Sequence, residues 1–319
     1  MSSKTVSPVH QATHHLSGMS YAIMGYAIMT VFDTLLKQVS QGDRYPQPQM
    51  MATAGLFCAA TIALVAIGTG GLRGRLGTKR LWFHLSRGML SLGAFFVGFY
   101  ALRHIPLVDF YGIIFAIPIF VTLLSVFWLK EHVGWPRWTA IGCGFIGVLL
   151  MLRMGVKQAP SAGEVWGYYA ALGCAILNAL TSVMVRRYGR GESNLTFSFY
   201  TAVCNIVVSG ALWLWFGGEV FAAFDLLLLG LAGVLVGFGS ILLMTAYQRS
   251  PPPAVAPFQY TQLVWGAVLG YWLFNEVPSF WSLVGAGIVI VSGLLVLWRE
   301  AALARAIKRA AKVLDQAAM

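Results

Sequence analysis

The chain has 319 residues, of which 58% are hydrophobic and only 10% charged, with a formal net charge of +11. A soluble domain carries about 25% charged residues, so this composition, with a mean hydropathy of +0.73, places the chain in a bilayer and excludes the soluble classes. Nucleic acid, which so basic a protein otherwise suggests, is not expected as a partner, because the charge follows membrane topology.

Residues 1–16 are polar and carry His10, His14 and His15. Without a cleavable basic leader they read as a cytoplasmic tail, and no cysteine or carboxylate completes a metal site with the histidines. Apolar runs near the roughly 20 residues needed to cross a bilayer as helix follow at 17–37, 47–70, 81–102, 106–129, 135–152, 164–185, 194–217, 226–247, 254–274 and 279–298. They are continuously apolar, whereas barrel strands alternate, so ten helices are expected.

Asp33 and Lys37 share a face of the first span at i, i+4. Two readings stand: an interfacial pair with Lys37 snorkelling outward, or, for Asp33, an intramembrane charge facing a wet cavity. His84 and Arg87 share a face of the third span; Arg87 either snorkels to the cytosol or meets an anionic substrate or Asp33. Asp109, in the first turn of the fourth span, suits the helix dipole, and Pro118 should kink that span. Glu131 and Glu276 close the fourth and ninth spans beside Trp135 and Trp281, as interfacial turns.

Gly142, Gly144 and Gly147 in the fifth span and Gly285 and Gly287 in the tenth read as packing faces, and Asn178 and Asn205 as interhelical bonding groups. In the ninth span, Pro251, Pro252, Pro253 and Pro257 precede or interrupt the helix, while Gln259, Tyr260 and Gln262 present donors and acceptors suited to a cavity wall. Cys58, Cys143, Cys174 and Cys204 each stand alone in an apolar span, as buried small hydrophobes. Residues 299–319 form a basic, alanine-rich amphipathic tail for the inner leaflet surface.

The stretch from Ala101 through Arg103, Pro106, Glu131 and Gly142 to Arg153 recurs as Ala246, Arg249, Pro252, Glu276, Gly287 and Arg299. A duplicated five-span unit is implied, and an odd number of spans inserts the second copy upside down. With the N-terminus cytoplasmic, sixteen of the 22 Lys and Arg residues fall on the inner side and five on the outer, so both termini are assigned to the cytoplasm. The units are 17–153 and 164–298, joined by 154–163. Aligning them pairs Lys37 with Arg186 and Gly88 with Gly233, but sets Ser182 opposite Asp33 and Ala232 opposite Arg87. Paired positions read as scaffold, and the unpaired Asp33 and Arg87 as functional.

Written out as two copies, the chain resembles the drug/metabolite transporter superfamily, specifically ten-helix members of the EamA family. The resemblance rests on Phe32, Asp33, Lys37, Arg87, Gly88, the run Ala101, Leu102, Arg103, Pro106, Leu107 and Asp109, then Pro118, Glu131, Gly142 and Gly147. It continues through Ala246, Tyr247, Arg249, Pro251, Ala256, Pro257, Phe258, Tyr260, Glu276, Pro278 and Gly293. It implies an all-α membrane protein, ten transmembrane helices as two inverted repeats around a central cavity built from the first, third, fourth, sixth, eighth and ninth helices. It also implies alternating access, a small-molecule substrate and no organic cofactor.

The Asp33 and Lys37 pattern and the Arg87 and Gly88 pair look like the branch that includes bacterial riboflavin importers and S-adenosylmethionine uptake carriers. Rings at Tyr21, Phe95, Tyr111, Phe115, Phe258, Tyr260 and Trp265 lean toward a planar aromatic substrate. Riboflavin uptake across the bacterial inner membrane is therefore the leading expectation, with S-adenosylmethionine uptake or metabolite export as alternatives. Asp33, Lys37, Arg87, Tyr111, Gln259, Tyr260 and Gln262 are the residues expected to bind substrate or gate the path. A membrane-embedded transferase would need a nucleophile with its base at membrane depth; His84 has no such companion, and no metal site is expected. Self-association as a homodimer is compatible with the sequence.

Overall fold

The computed structural model describes residues 8–70, 77–130, 135–154, 161–189, 192, 194–249 and 255–295, with 298 and 302. Helices α1 (Pro8–Ser40), α2 (Gln47–Gly70) and α3 (Leu81–His104) are followed by a fourth span in two pieces, α4 (Leu107–Ile114) and α5 (Ile117–Leu129), then α6 (Trp135–Met154). The second half comprises α7 (Ala162–Tyr188), α8 (Asn194–Phe216), α9 (Ala223–Arg249), a 3-10 turn (Ala256–Tyr260) running into α10 (Thr261–Phe274), and α11 (Phe280–Leu295). Every described element is helical, and seven segments are each long and apolar enough to cross a membrane. The fifth, ninth and tenth spans fall short of that measure, being shorter runs within the described residues.

One boundary differs from the sequence reading. Residues 8–16, assigned above to a polar tail, extend α1, because polarity does not stop a helix once its apolar stretch has nucleated it. The triple-proline segment at 251–253, Glu131 and most of the basic C-terminal tail lie outside the described residues.

Inversion is visible in the packing. The most extensive contacts join α1 to α9 and α3 to α7; others join α2 to α8, α2 to α9, α3 to α8, α1 to α10, α5 to α7 and α4 to α10. Exchanging each span with its counterpart in the other half maps these pairs onto one another. Gly88 and Gly233 play equivalent parts: a Cβ at Gly88 would stand 2.6 Å from Cys204 Sγ on α8, and one at Gly233 would stand 2.6 Å from Phe57 Cβ on α2. Between α6 and α11, a Cβ on Gly147 would stand 2.8 Å from the Gly285 carbonyl oxygen. Gly144 likewise faces Ile119 and Ser292, whereas Gly142 and Gly287 have open space and do not serve as contact points.

The fourth span breaks where Pro118 predicts a kink. With no N–H, Pro118 cannot bond the Ile114 carbonyl; the chain turns at Phe115 and Ala116, whose N–H groups bond Tyr111 O at 2.9 Å and Ile113 O at 3.0 Å. Every residue of α4 is buried, so this piece is held from all sides beside the cavity.

Candidate functional site

A cavity of about 450 Å³ runs between the halves, within the size range of small-molecule sites. Its walls come from α1, α3, α4, α5, α7, α9 and α10, as the resemblance implies, and also from α2 and α8, which it does not name. Met51, Gly55 and Cys58 on α2 and Phe197, Thr201 and Asn205 on α8 belong to the lining.

Its ionisable lining is sparse: among the described residues only Asp33 and Arg87 bring a full charge. Asp33 accepts a hydrogen bond from Tyr111 Oη at 2.8 Å. It does not pair with Lys37. That ammonium lies 2.5 Å from Glu276 Oε1, donates to the Ile105 carbonyl at 2.5 Å and sits over the Phe274 ring. Lys37 is only 4% exposed, so the snorkelling reading does not hold: a partner inside the fold outcompetes the interface. Glu276 in turn accepts the Leu107 N–H at 3.0 Å, more than an aromatic-anchored turn requires.

Arg87 is buried as well. Its guanidinium donates to the Phe197 carbonyl and, at 2.5 Å, to Thr201 Oγ1, and stacks over the Phe197 ring at 5.0 Å. It is therefore not turned out to the cytosol. At about 1.5 Å rise per residue, Arg87 stands roughly 9 Å inside one end of α3 and Asp33 roughly 10 Å from the opposite end of α1. The two charges occupy different ends of the cavity. Aromatic surface from Phe32, Phe95, Phe99, Phe110 and Tyr111 lies among the lining.

Tyr111 and Gln262 line the cavity, whereas Gln259, Tyr260 and Lys37 do not. Tyr260 packs edge-on against Phe115 at 4.9 Å, and its hydroxyl fills the space over Gly293 on α11. Gln259, one turn before Gln262, is half-buried in the 3-10 turn. Asn205 donates to the Met51 carbonyl at 3.1 Å and so bonds between helices as expected; Asn178 instead donates to Cys174 O in its own helix at 2.9 Å. Both amides face the cavity. An isolated amide in an apolar run was the signal that could have nominated them. Asp109 is buried and accepts a hydrogen bond from Tyr168 Oη, tying α4 to α7 in addition to its place in the first turn. His84, fully buried, lies 3.1 Å from Glu192 and stacks on Tyr200.

The family model described as EamA-like transporter family matches residues 16–153 and 165–298. An S-adenosylmethionine uptake transporter of Rickettsia conorii is 30% identical over 90% of this chain and 94% of its own length. One from Rickettsia bellii is 31% identical over 70% and 75%. A riboflavin transporter of Vibrio cholerae is 27% identical over 73% and 77%. A protein crystal structure with 18% sequence identity has a TM-score of 0.61, covering 87% of this chain and 96% of that one, a likeness of fold alone.

Proposed function

Because this chain belongs to the EamA-like transporter family, and so is a multi-pass membrane carrier of a small molecule, we propose that its cargo is S-adenosylmethionine, taken up across the bacterial inner membrane. One observation carries the choice: Asp33 faces the cavity while its only helical cationic neighbour, Lys37, is bound to Glu276. A carboxylate in a mostly apolar cavity calls for a cation. S-adenosylmethionine brings a sulfonium and an ammonium; riboflavin brings neither and would leave Asp33 uncompensated. Arg87 supplies the opposite charge for the carboxylate of the methionine part. The aromatic lining and the amides of Asn178, Asn205 and Gln262 suit an adenine ring and its edge. The relatives named for S-adenosylmethionine point the same way.

In this reading Asp33, Arg87, Tyr111 and Gln262 touch substrate, Lys37 acts at a mouth of the path, and Gln259 and Tyr260 shape the turn that opens the ninth span. Repeats 17–153 and 164–298, linked by 154–163, rock about the cavity between two open states. Both termini lie in the cytoplasm, the side to which the positive charge is biased.

Uptake of methyl-labelled S-adenosylmethionine by cells expressing the chain, against cells carrying empty vector, tests this. Saturable accumulation is expected, competed by unlabelled substrate and unaffected by riboflavin. S-adenosylhomocysteine, which lacks the sulfonium charge, competes more weakly, by about tenfold or more. Riboflavin uptake without S-adenosylmethionine uptake overturns the proposal.

A further inference from the structure

The ion pair between Lys37 and Glu276 joins more of the fold than its two side chains. Lys37 lies in the last turn of α1; the Ile105 carbonyl that it reaches is the C-cap of α3; the Leu107 N–H held by Glu276 opens α4; and Glu276 itself follows α10. One buried pair, with side chains 5% and 16% exposed, thus gathers the ends of four spans at the face bearing the 41–46, 105–106 and 275–279 connections. All four spans contribute to the cavity walls. Directly beneath it Leu36, Leu102 and Phe110 line the cavity and are buried. For the cavity to open on this face, these ends must part.

The chemistry suits a closure that must also open. Against well-packed apolar groups a buried ion pair is a poor stabiliser. When water enters, however, both charges recover hydration, whereas a purely apolar seal would expose its surface with no return. A second link lies one turn deeper. Asp33 is four residues before Lys37 on α1, Tyr111 is four residues after Leu107 on α4, and Tyr111 Oη donates to Asp33 at 2.8 Å. The lower rung lies in the cavity wall, where a bound cation competes with Tyr111 for Asp33; this part rests on the proposed function.

We propose that Lys37 and Glu276 form the latch that holds this mouth shut, and that the Tyr111 to Asp33 hydrogen bond ties the latch to the occupant of the cavity. Removing either charge leaves the other inside the fold with no counter-charge, held only by the Ile105 carbonyl or the Leu107 N–H, which favours the open mouth.

The test needs no transport. Leu36→Cys places a thiol just beneath the latch, and its reaction with a membrane-impermeant maleimide is followed in spheroplasts and in inside-out vesicles, with the parent protein and its native cysteines as background. Glu276→Gln is expected to raise the labelling rate from one side by about tenfold or more, whereas Lys37→Arg, which keeps the charge pair and a donor for the Ile105 carbonyl, is expected to leave it low. An unchanged rate in inserted Glu276→Gln protein overturns the latch. So does an equally raised rate in Lys37→Arg, since that marks general loosening. S-adenosylmethionine is expected to change the labelling rate of Leu36→Cys, and Tyr111→Phe to abolish that response. A ligand response that survives in Tyr111→Phe overturns the tie. Absence of any ligand effect in the Leu36→Cys protein counts against the substrate reading and leaves the latch result standing.

Discussion

Asp33 and Lys37 are four residues apart on one helix face, yet they serve different places: one lines the cavity, the other is paired with Glu276 outside it. Asp33→Asn keeps an acceptor for Tyr111 and removes the charge, so the expected result is a rise in KM for S-adenosylmethionine of about tenfold or more in uptake assays, with membrane insertion unchanged. Arg87→Lys retains charge but loses the flat guanidinium that stacks on the Phe197 ring and whose Nη2 bonds both the Phe197 carbonyl and Thr201 Oγ1. It should lower both uptake and the thermal stability of the purified protein. Arg87→Ala costs more, on the order of 1–3 kcal/mol, because both hydrogen bonds and the stacking on the Phe197 ring are lost, although the Phe197 carbonyl keeps the Thr201 hydroxyl as donor. The sequence singled out Asp33 and Arg87 because the internal repeat lacks them in its second copy, and both line the cavity. It could not show that Lys37 meets Glu276: the partners stand in opposite halves, and nothing local in either helix records the contact.

Spans were legible as elements because the bilayer fixes their length and forces continuous apolarity. The break in the fourth span was legible too, since one proline removes one named hydrogen bond. Helix contacts were only half legible. Gly142 and Gly147 look alike in sequence, but only Gly147 meets a neighbouring backbone; which side of a glycine-bearing helix faces a partner depends on packing that no single span contains. Gly147→Leu should therefore force α6 from α11 and lower the melting temperature in detergent, at a cost of roughly 1–3 kcal/mol, whereas Gly142→Leu should leave it nearly unchanged. Parallel melting curves followed by tryptophan fluorescence check the contrast.

For the molecule as a whole, ligand binding and stability are linked. A ligand that binds only the folded carrier at about 100 times its Kd adds roughly 2.7 kcal/mol to the unfolding free energy, so S-adenosylmethionine should raise the melting temperature of the purified protein while riboflavin does not. Architecture was readable from the duplicated segments and the charge bias. Cargo was not: the aromatic residues of the spans suggested a planar aromatic substrate, whereas the separation of Asp33 from Lys37, the ground for proposing a cationic cargo, exists only in space. The contact pattern that exchanges α1 with α7, α2 with α8 and α3 with α9 has a consequence for energetics. Were the two halves chemically identical, the carrier facing one way and the carrier facing the other would be degenerate in energy. Its resting bias is therefore written not in the shared fold but in the side chains at which one half differs from the other, the cavity-lining Asp33 and Arg87 among them.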